Sequence, residues 1–358
     1  MPDQRVRAAV DNWSPRFVSQ GVDFNDFRRV TAKIETWPEW LPAWVANGDA
    51  HAARAREAEE RGRTMTAGEA WNHAALSYHF AKFVWMVDLE RYRAAADQAV
   101  GALREVHRLL DPSAERLEIP FEAGTMVANL RRPSDRLLLD ELRPPLVLLL
   151  PGLDSTKEEF FEWENVFLRR GLATLSLDGP GQGETGYTTT IHPDYEVAVS
   201  AMLDHLADRN DRDLDLDRVG AVGVSLGGYY APRAAAFEPR LKATVGISGP
   251  FNFGEVWDER PALTKETFAH HSGARDLHEA REKAFELSLD GVAEQIEQPL
   301  LVIAGKLDRL VHWQESKRIA DAAPNATWVL FEDGNHVCNN IPYKYRPLAA
   351  DWLEERLG

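Results

Sequence analysis

The sequence predicts an α/β chain in which helices cover both faces of a mostly parallel sheet, preceded by an all-helical unit. Two observations lead to this prediction. Short apolar runs alternate with amphipathic stretches between residues 146 and 331, an order typical of a parallel sheet with helices on both faces. Residues 1–115 instead carry helical periodicity without a strand signal. We therefore predict two domains, a helical one over residues 1–115 and an α/β one over residues 116–358.

The first domain contains three clear helical patterns. Proline fits the first turn of a helix, which favours a start near Pro38. The spacing of Thr66 and Glu69 is that of a capping box, so a second helix is expected to start at Thr66. The predicted stretches are Pro38 to Arg61, Thr66 through Tyr78, and Leu89 to Leu110.

The second domain opens with a hairpin and continues with buried strands. Two short runs flank Glu122-Ala123-Gly124, which is typical of a β-hairpin. Six apolar runs of the parallel-strand type follow. Residues 251–292 look helical and charged and exceed the length of one crossover, so we predict a lid insertion there. The predicted strands are Leu117–Phe121, Thr125–Leu130, Leu146–Leu150, Leu172–Leu177, Val219–Val224, Ala243–Ile247, Leu300–Ala304 and Trp328–Phe331.

Composition excludes several classes of partner. The 358 residues carry a formal net charge of −16, so phosphates repel the chain and neither nucleic acid nor an anionic membrane is expected to bind it.

The sequence also predicts where the protein is located. The N-terminus lacks an apolar core of signal-peptide length. The most apolar run, Pro145 to Leu153, is too short to span a bilayer. Cys338 is the single cysteine, so no internal disulfide can form, and we expect a cytoplasmic protein.

One serine stands between two glycines at the end of an apolar run, in Gly223-Val224-Ser225-Leu226-Gly227. An ordinary strand-to-helix connection can contain such a serine by chance. The context favours a nucleophile, because a strand run precedes Ser225 and small residues suited to a helix follow it. A tight turn of this kind lifts the serine oxygen clear of the sheet, and the glycines let the backbone pass without Cβ clashes.

A serine hydroxyl needs a base, and the base needs an orienting acid. When the nucleophile sits on such a turn, the acid and then the histidine follow it along the chain, each just past a strand. Asp308 follows the run Leu300–Ala304, and His336 follows the last predicted strand. We therefore predict a catalytic triad of Ser225, Asp308 and His336. Asp333 is an alternative acid, although its position close to the histidine in sequence makes orientation of the ring awkward.

An oxyanion that forms at the serine needs hydrogen-bond donors. The backbone N–H of Leu226 is one candidate, because it stands at the start of the following helix, where the helix dipole favours negative charge. The second donor should come from the loop after the run Leu146–Leu150. We predict the N–H of Leu153, with that of Gly152 as the alternative; an ordinary βα turn without this role is the other interpretation of the loop.

Two further patterns resemble binding sites and are interpreted otherwise. Residues 181–186, GQGETG, match the glycine spacing of dinucleotide sites, but such sites require a helix to open on the glycines. A β-branched stretch with a proline follows instead, so these glycines are expected to shape a loop beside the serine. His270 and His271 are adjacent, and neighbouring histidines rarely point at one metal ion. No metal site is predicted.

With the serine, acid and histidine placed, residues 116–358 resemble the α/β-hydrolase superfamily. The similarity is closer to the branch of 2,6-dihydroxypseudooxynicotine hydrolases, which cleave carbon–carbon bonds, and to the esterases of the fermentation-respiration switch protein family. It rests on segments spread over most of this domain: Gly152–Glu159, Asp178–Glu184, Ser225–Gly228, Glu238–Leu241, Trp257-Asp258, Leu263–Glu266 and Asp333–His336.

The resemblance implies a site closed by the helical N-terminal domain as a cap, and a homodimer. It also implies an extra acid near the pocket, for which Glu255 and Asp258 are the candidates; a solvated acidic lid is the simpler interpretation of both. The substrate implied is a small acyl-aromatic or β-diketone (polyketide-like) molecule, cleaved at a carbon–carbon bond next to its carbonyl. The triad itself predicts hydrolysis through an acyl-enzyme with no cofactor and no metal.

Several alternatives remain open at this stage. The same triad would serve a carboxylesterase acting on small-molecule esters. A peptidase or acyltransferase is a further alternative, although no β-propeller precedes the catalytic half. A non-catalytic ligand-binding protein would have no need of an intact triad.

Overall fold

The computed structural model describes residues 3–134, 143–209 and 213–358, and these divide into two compact units. The helical unit comprises the described residues up to Ala114 together with Glu158–Glu162. The sheet unit comprises Glu115–Lys157 and Trp163–Gly358. Residues 158–162, predicted to lie in the second domain, thus belong to the helical unit. None of the helices among the described residues combines the length and the apolar character needed to cross a membrane.

The helical unit is built around aromatic side chains. All six of its tryptophans are buried, and Trp37, Trp40, Trp44 and Trp85 are completely so. Phe17 and Phe80 stack with ring centroids 3.8 Å apart. Burial of such large rings stabilises a small helical domain strongly, because each removes a large apolar area from water. Its helices are α1 (Gln4–Ser19), α2 (Phe24–Thr31), α3 (Trp40–Glu60), α4 (Thr64–Ala81) and α5 (Leu89–Leu110).

The start predicted for α4 was wrong by two residues. This helix begins at Thr64, and its N-cap residue Arg63 makes no side-chain capping bond. The capping box of this region lies earlier, at Thr36 and Glu39, ahead of α3. Capping-box spacing therefore occurred at Thr66 by chance, because Thr and Glu at this separation also fit within the first turns of a helix that has already begun.

The sheet unit confirms the predicted α/β class. Its eight strands lie in the order β1-β2-β4-β3-β5-β6-β7-β8. The first two strands form the predicted antiparallel hairpin, β2 is also antiparallel to β4, and the remaining neighbours are parallel. The strands are β1 (Glu115–Phe121), β2 (Gly124–Arg131), β3 (Pro145–Leu150), β4 (Ala173–Asp178), β5 (Asp215–Val224), β6 (Leu241–Ile247), β7 (Leu300–Gly305) and β8 (Ala326–Phe331).

Strands β3, β4 and β7 are buried along their whole length. This is expected of parallel strands covered by helices on both faces, and it explains why their sequences read as continuous apolar runs. The parallel arrangement brings the carboxyl ends of the strands to one edge of the sheet. The remaining helices are α6 (Phe161–Leu168), α7 (Glu196–Asp208), α8 (Gly227–Phe237), α9 (Ala262–His271), α10 (Leu277–Glu286), α11 (Trp313–Ala322) and α12 (Pro342–Leu357). All lie in the sheet unit except the first two residues of α6, which belong to the helical unit.

The segment predicted as a lid insertion, residues 251–292, holds α9 and α10. Its aromatic residues Phe253, Trp257 and Phe268 are buried in the same hydrophobic core as the sheet. An isolated bridge between Asn252 and Ser288 joins the two ends of the segment. The segment is therefore packed into the sheet unit through an apolar face, while most of its charged residues, with the exception of Arg260, lie on the outside.

Candidate active site

Ser225 occupies the sharp turn between β5 and α8. Its φ of +57° lies in the left-handed region that costs a non-glycine residue energy. The turn is crowded, since a methyl group on Gly223 would lie 1.8 Å from the Gly227 carbonyl oxygen. One on Gly227 would lie 2.2 Å from the Leu150 carbonyl oxygen. Both glycines that flank Ser225 in the sequence motif are therefore required by the close approach of backbone.

Three predicted side chains form one hydrogen-bonded chain. His336 Nε2 lies 2.9 Å from Ser225 Oγ, and His336 Nδ1 lies 2.8 Å from Asp308 Oδ2. The other oxygen of Asp308 accepts backbone N–H bonds from Leu310 and Val311. Asp308 is buried and therefore fixed, so it can hold the imidazole in one orientation. The geometry is that required for a serine activated by a neutral histidine.

The loop after β8 brings His336 to the serine. Val337 and Cys338 both have positive φ, which turns the chain sharply after the histidine. The backbone N–H of Val337 donates to Ser248 Oγ, 3.0 Å away at the end of β6. This bond ties the histidine loop to the strand next to the one that carries Ser225. Burial raises the pKa of the Cys338 thiol to about 12, so this cysteine is a protonated packing group.

The two predicted oxyanion donors lie on either side of Ser225. Leu226 is the N-cap residue of α8 and follows the serine directly. The loop after β3 approaches from the other side: a methyl group on Gly152 would lie 3.1 Å from Ser225 Cβ. Leu153 is the next residue in this loop and is buried. The two backbone segments that contain the predicted donors, at Leu226 and at Leu153, thus both lie next to Ser225.

Asp333 is not the partner of the histidine. Its carboxylate pairs with Lys344 Nζ at 2.6 Å, which lowers the pKa of this exposed aspartate. His336 instead pairs with Asp308.

The two candidate auxiliary acids are ion-paired. Glu255, 46% exposed at its side chain, lies 2.6 Å from Arg318 Nη1. Asp258 is 80% exposed at its side chain and lies 3.5 Å from Arg281 Nη2.

Arg260 lies near the triad and was not predicted. It is only 7% exposed, and its guanidinium stacks over the Phe253 ring at 3.8 Å. Its Nη1 donates to the Leu310 carbonyl oxygen, in the loop whose amides hold Asp308. Burial lowers the pKa of Arg260 to about 10, against the opposing effect of Asp308 and Glu315. Arg260 is charged at neutral pH and contributes positive potential beside the acid. No local sequence signal marks it, because the carbonyl group that accepts its hydrogen bond, that of Leu310, lies in the following strand–helix unit.

The residues that resembled nucleotide or metal sites are used differently. No α-helix opens on the glycines of residues 181–186; only a short 3-10 turn, Thr185–Tyr187, overlaps the end of this segment. Lys157 Nζ lies 2.7 Å from both Asp178 and Glu184, so the cation between these carboxylates is an ammonium group. Among the described residues, no cluster of ligand side chains suited to a metal includes His270 or His271.

Comparison with known proteins agrees with this architecture. Residues 147–343 match the family model described as the alpha/beta hydrolase family. The chain is also 34% identical, over 97% of its length, to 2,6-dihydropseudooxynicotine hydrolase of Paenarthrobacter nicotinovorans, covering 92% of that protein. The chain belongs to the alpha/beta hydrolase family. The predicted fold class is thereby confirmed, and the chain is a hydrolase.

Two further relatives show how far the similarity extends. A crystal structure of 2,6-dihydroxy-pseudo-oxynicotine hydrolase superposes on this hydrolase with a TM-score of 0.86 at 33% identity, covering 97% of this chain and 96% of that one. The 20-hydroxy-prefusarin hydrolase FUS2 of Gibberella moniliformis is 33% identical over 254 residues. That match covers 67% of this hydrolase and 59% of the fungal protein. The similarity to the pseudo-oxynicotine hydrolase covers nearly the full chain and therefore includes the helical unit.

Proposed function

We propose that this hydrolase is a serine hydrolase that works through an acyl-enzyme, with Ser225 as nucleophile, His336 as general base and Asp308 as the group that orients the imidazole. The observation that carries the proposal is the continuous chain from Ser225 Oγ through both nitrogens of His336 to buried Asp308, with steps of 2.9 and 2.8 Å. Such a chain on a strained strand-to-helix turn is how this fold activates a serine.

The proposed reaction has two halves. His336 Nε2 takes the Ser225 proton as Oγ attacks the substrate carbonyl, and the N–H groups of Leu226 and Leu153 stabilise the oxyanion. Collapse of the tetrahedral intermediate expels the leaving group, which receives the proton from the imidazolium. Water then attacks the acyl-enzyme with His336 again as base, and the carboxylic acid product leaves. Asp308 stays ionised throughout and stabilises the imidazolium.

For the bond that is cleaved, we propose a carbon–carbon bond next to a carbonyl in an acyl-aromatic or β-diketone compound. A carbon leaving group departs only if its charge is stabilised, as by an electron-rich ring or an enolisable ketone. The support is the similarity over 97% of the chain to a hydrolase named for a pseudooxynicotine. Of the two candidate auxiliary acids, Glu255 is the less exposed, since Asp258 is mostly in solvent.

Carboxylesterase activity is the second candidate, and one observation favours it. Glu255 is engaged by Arg318 and half exposed, an arrangement unlike a shielded acid. An ester needs no such acid, because an alkoxide or phenolate leaves more easily than a carbanion and His336 alone can supply the proton.

We extend the proposal to three properties of the whole protein: the helical unit acts as a cap, the protein forms a homodimer, and it is cytoplasmic. The family resemblance supports the first two. A single, buried cysteine is compatible with a reducing compartment. Light scattering at two protein concentrations tests the dimer: a constant mass near 40.3 kDa would contradict it.

The test of the reaction uses two shape-matched substrates, an aryl ester and the corresponding aryl ketone with an ortho hydroxyl. Each is assayed with the wild type and with Ser225→Ala, and a fluorophosphonate probe followed by peptide mass spectrometry reports on Ser225 directly. Ketone cleavage that Ser225→Ala abolishes supports the carbon–carbon hydrolase. Ester cleavage alone supports the esterase. Undiminished turnover by Ser225→Ala, or an unlabelled Ser225, would contradict the serine mechanism.

A further inference from the structure

The glycine-rich loop after β4, residues Asp178–Glu184, surrounds one buried amide side chain. Gln182 is 2% exposed. Its Nε2 donates to the carbonyl oxygens of Pro151 and Gly152, each at 2.9 Å. Its Oε1 accepts from the backbone N–H of Gly179 and from the hydroxyl of Tyr195, each at 3.0 Å. Both donors and both lone pairs of the amide are therefore used, which fixes its orientation.

One of these contacts controls the predicted oxyanion donor. The carbonyl of Gly152 and the N–H of Leu153 belong to the same peptide group, which is planar and trans. In such a group the C=O and the N–H point in opposite directions. A bond that holds the Gly152 oxygen toward Gln182 therefore aims the Leu153 N–H to the opposite side. Gly152 itself lies against Ser225.

A second contact connects the same amide to the helix after the serine. Tyr195, which donates to Gln182, stacks on Tyr230 with ring centroids 3.9 Å apart and planes 12° from parallel. Tyr230 lies in the first turn of α8, and its backbone N–H donates to the Leu226 carbonyl oxygen. Gln182 is thus linked to the segments that carry both predicted donors, Leu153 and Leu226.

Two glycines of the loop, Gly179 and Gly183, are required by the close packing around Gln182 and Asp178. A methyl group on Gly179 would lie 2.2 Å from the Tyr195 hydroxyl oxygen. One on Gly183, where φ is +44°, would lie 2.0 Å from Asp178 Oδ2. Only glycine allows the chain to wrap closely around Gln182 and Asp178 at the same time. The glycine spacing that resembles a dinucleotide site therefore has a different use in this fold.

We propose that Gln182 is the positioning residue of the oxyanion hole: it aims the Leu153 N–H and, through Tyr195 and Tyr230, couples this donor to the start of α8. The proposal rests on the proposed serine mechanism. The hydrogen-bonding positions of the Gln182 amide are all taken by Pro151, Gly152, Gly179 and Tyr195, so Gln182 acts through these groups. Its loss should therefore weaken binding of the tetrahedral state and leave binding of the planar substrate and product nearly unchanged.

The experiment compares Gln182→Met, which keeps the side-chain volume but removes both donors and acceptors, with Tyr195→Phe and with the control Thr244→Val. Thr244 is a buried threonine on β6 whose hydroxyl has no hydrogen-bond partner among the described residues. For each variant we would measure kcat, KM, affinity for a benzoate product, and inhibition by a phenyl trifluoromethyl ketone, which forms a tetrahedral adduct with the serine. Circular dichroism and thermal unfolding report on the fold.

Loss of a whole oxyanion donor lowers kcat by about 100- to 1,000-fold, so a misaimed donor should lower it by about 10- to 100-fold. We expect this loss in Gln182→Met, with the trifluoromethyl ketone weakened by the same factor and with KM and product affinity changed less than about threefold. Tyr195→Phe should show the same pattern at a few-fold, and Thr244→Val should behave as the wild type.

Equal losses of product and ketone affinity, or wild-type kinetics in a folded Gln182→Met, would overturn the positioning role. If Gln182→Met does not fold, Tyr195→Phe decides: without selective loss of ketone affinity the proposal fails. Adduct formation on wild-type Ser225 is checked first by mass spectrometry. Its absence would contradict the serine mechanism, whereas an adduct unaffected by the Gln182 and Tyr195 changes would contradict the positioning role alone.

Discussion

At the scale of single residues, the backbone conformation of Ser225 depends on the glycines that surround it. Ser225 is held at a φ of +57°, which costs about 1–3 kcal/mol for a non-glycine residue. Such strain persists only where the surroundings leave no alternative, and here Gly223, Gly227 and Gly152 bring three backbone segments into contact around it. The strain lifts the hydroxyl toward His336. The neighbouring glycines are therefore as necessary for the site as the side chains that react.

Gly223→Ala tests this dependence. The added methyl group would lie 1.8 Å from the Gly227 carbonyl oxygen, so the turn must shift and Ser225 must move relative to His336. A displacement near 1 Å costs about 100-fold in rate, and we expect at least this loss of kcat on the aryl ester. Wild-type kcat in Gly223→Ala would contradict the argument.

Gly101→Ala is the matched control. Gly101 lies in α5, and a methyl group there meets nothing within 4 Å. Alanine favours the helix by about 0.5–1 kcal/mol. Urea unfolding should therefore show a small gain in stability with kcat unchanged.

Elements could be predicted better than the contacts between them. The bounds of α5 agree with the prediction. The bounds of the buried strands agree within a few residues, because a continuous apolar run is typical of a parallel strand covered on both faces. Helices α1 and α2 were not predicted individually; α1 contains Pro15 and α2 has only eight residues. Ser225, Asp308 and His336 could be predicted because the fold fixes their order. Gln182 and Arg260 could not, because the bonds that place them beside the site reach the carbonyl groups of Pro151 and Leu310, 31 and 50 residues away.

The segments after β3 and β4 illustrate such a contact. Lys157 is almost completely buried and pairs with buried Asp178 and with Glu184, while its backbone N–H donates to Asp178 Oδ1. These bonds hold both ends of the loop Asp178–Glu184, and the bonds of Gln182 hold its middle to the segment after β3.

Lys157→Met removes the cation and leaves the Asp178 carboxylate buried. Breaking one side of a buried ion pair costs about 3–5 kcal/mol, and we expect a loss of this size in urea unfolding. The double variant Lys157→Met/Asp178→Asn should recover part of the loss, because it removes the uncompensated charge. A single variant as stable as the wild type would show that the pair contributes no net stability.

At the scale of the whole molecule, the helical unit is discontinuous in sequence. Glu159, from the five-residue segment Glu158–Glu162, accepts two bonds of 2.6 Å from Arg16 and lies 3.2 Å from His79 Nε2. Glu159 and His79 are completely buried. This cluster joins α1, α4 and a segment that follows β3 in the chain.

The cluster makes stability depend on pH. Burial lowers the pKa of His79 below its usual 6.5. For Glu159, burial alone would raise the pKa, but Arg16 and His79 outweigh it and hold the pKa well below 4.5. Both groups bind fewer protons in the folded state, so the free energy of unfolding falls as pH drops, first below about 6.5 through His79 and then below about 4.5 through Glu159.

Urea unfolding followed by tryptophan fluorescence between pH 7.5 and 4 measures this decline. His79→Leu should flatten the part between pH 7.5 and 5.5 relative to the wild type. Parallel curves for the two proteins over that interval would contradict the assignment.

The split composition of the helical unit also limits how this protein can be recombined. A chimera that joins a foreign catalytic half at residue 115 would carry Arg16 and His79 but leave Glu159 behind, and a buried guanidinium would lose its carboxylate. Exchange of helical units between relatives therefore requires three crossovers, one after residue 114 and one on each side of residues 158–162.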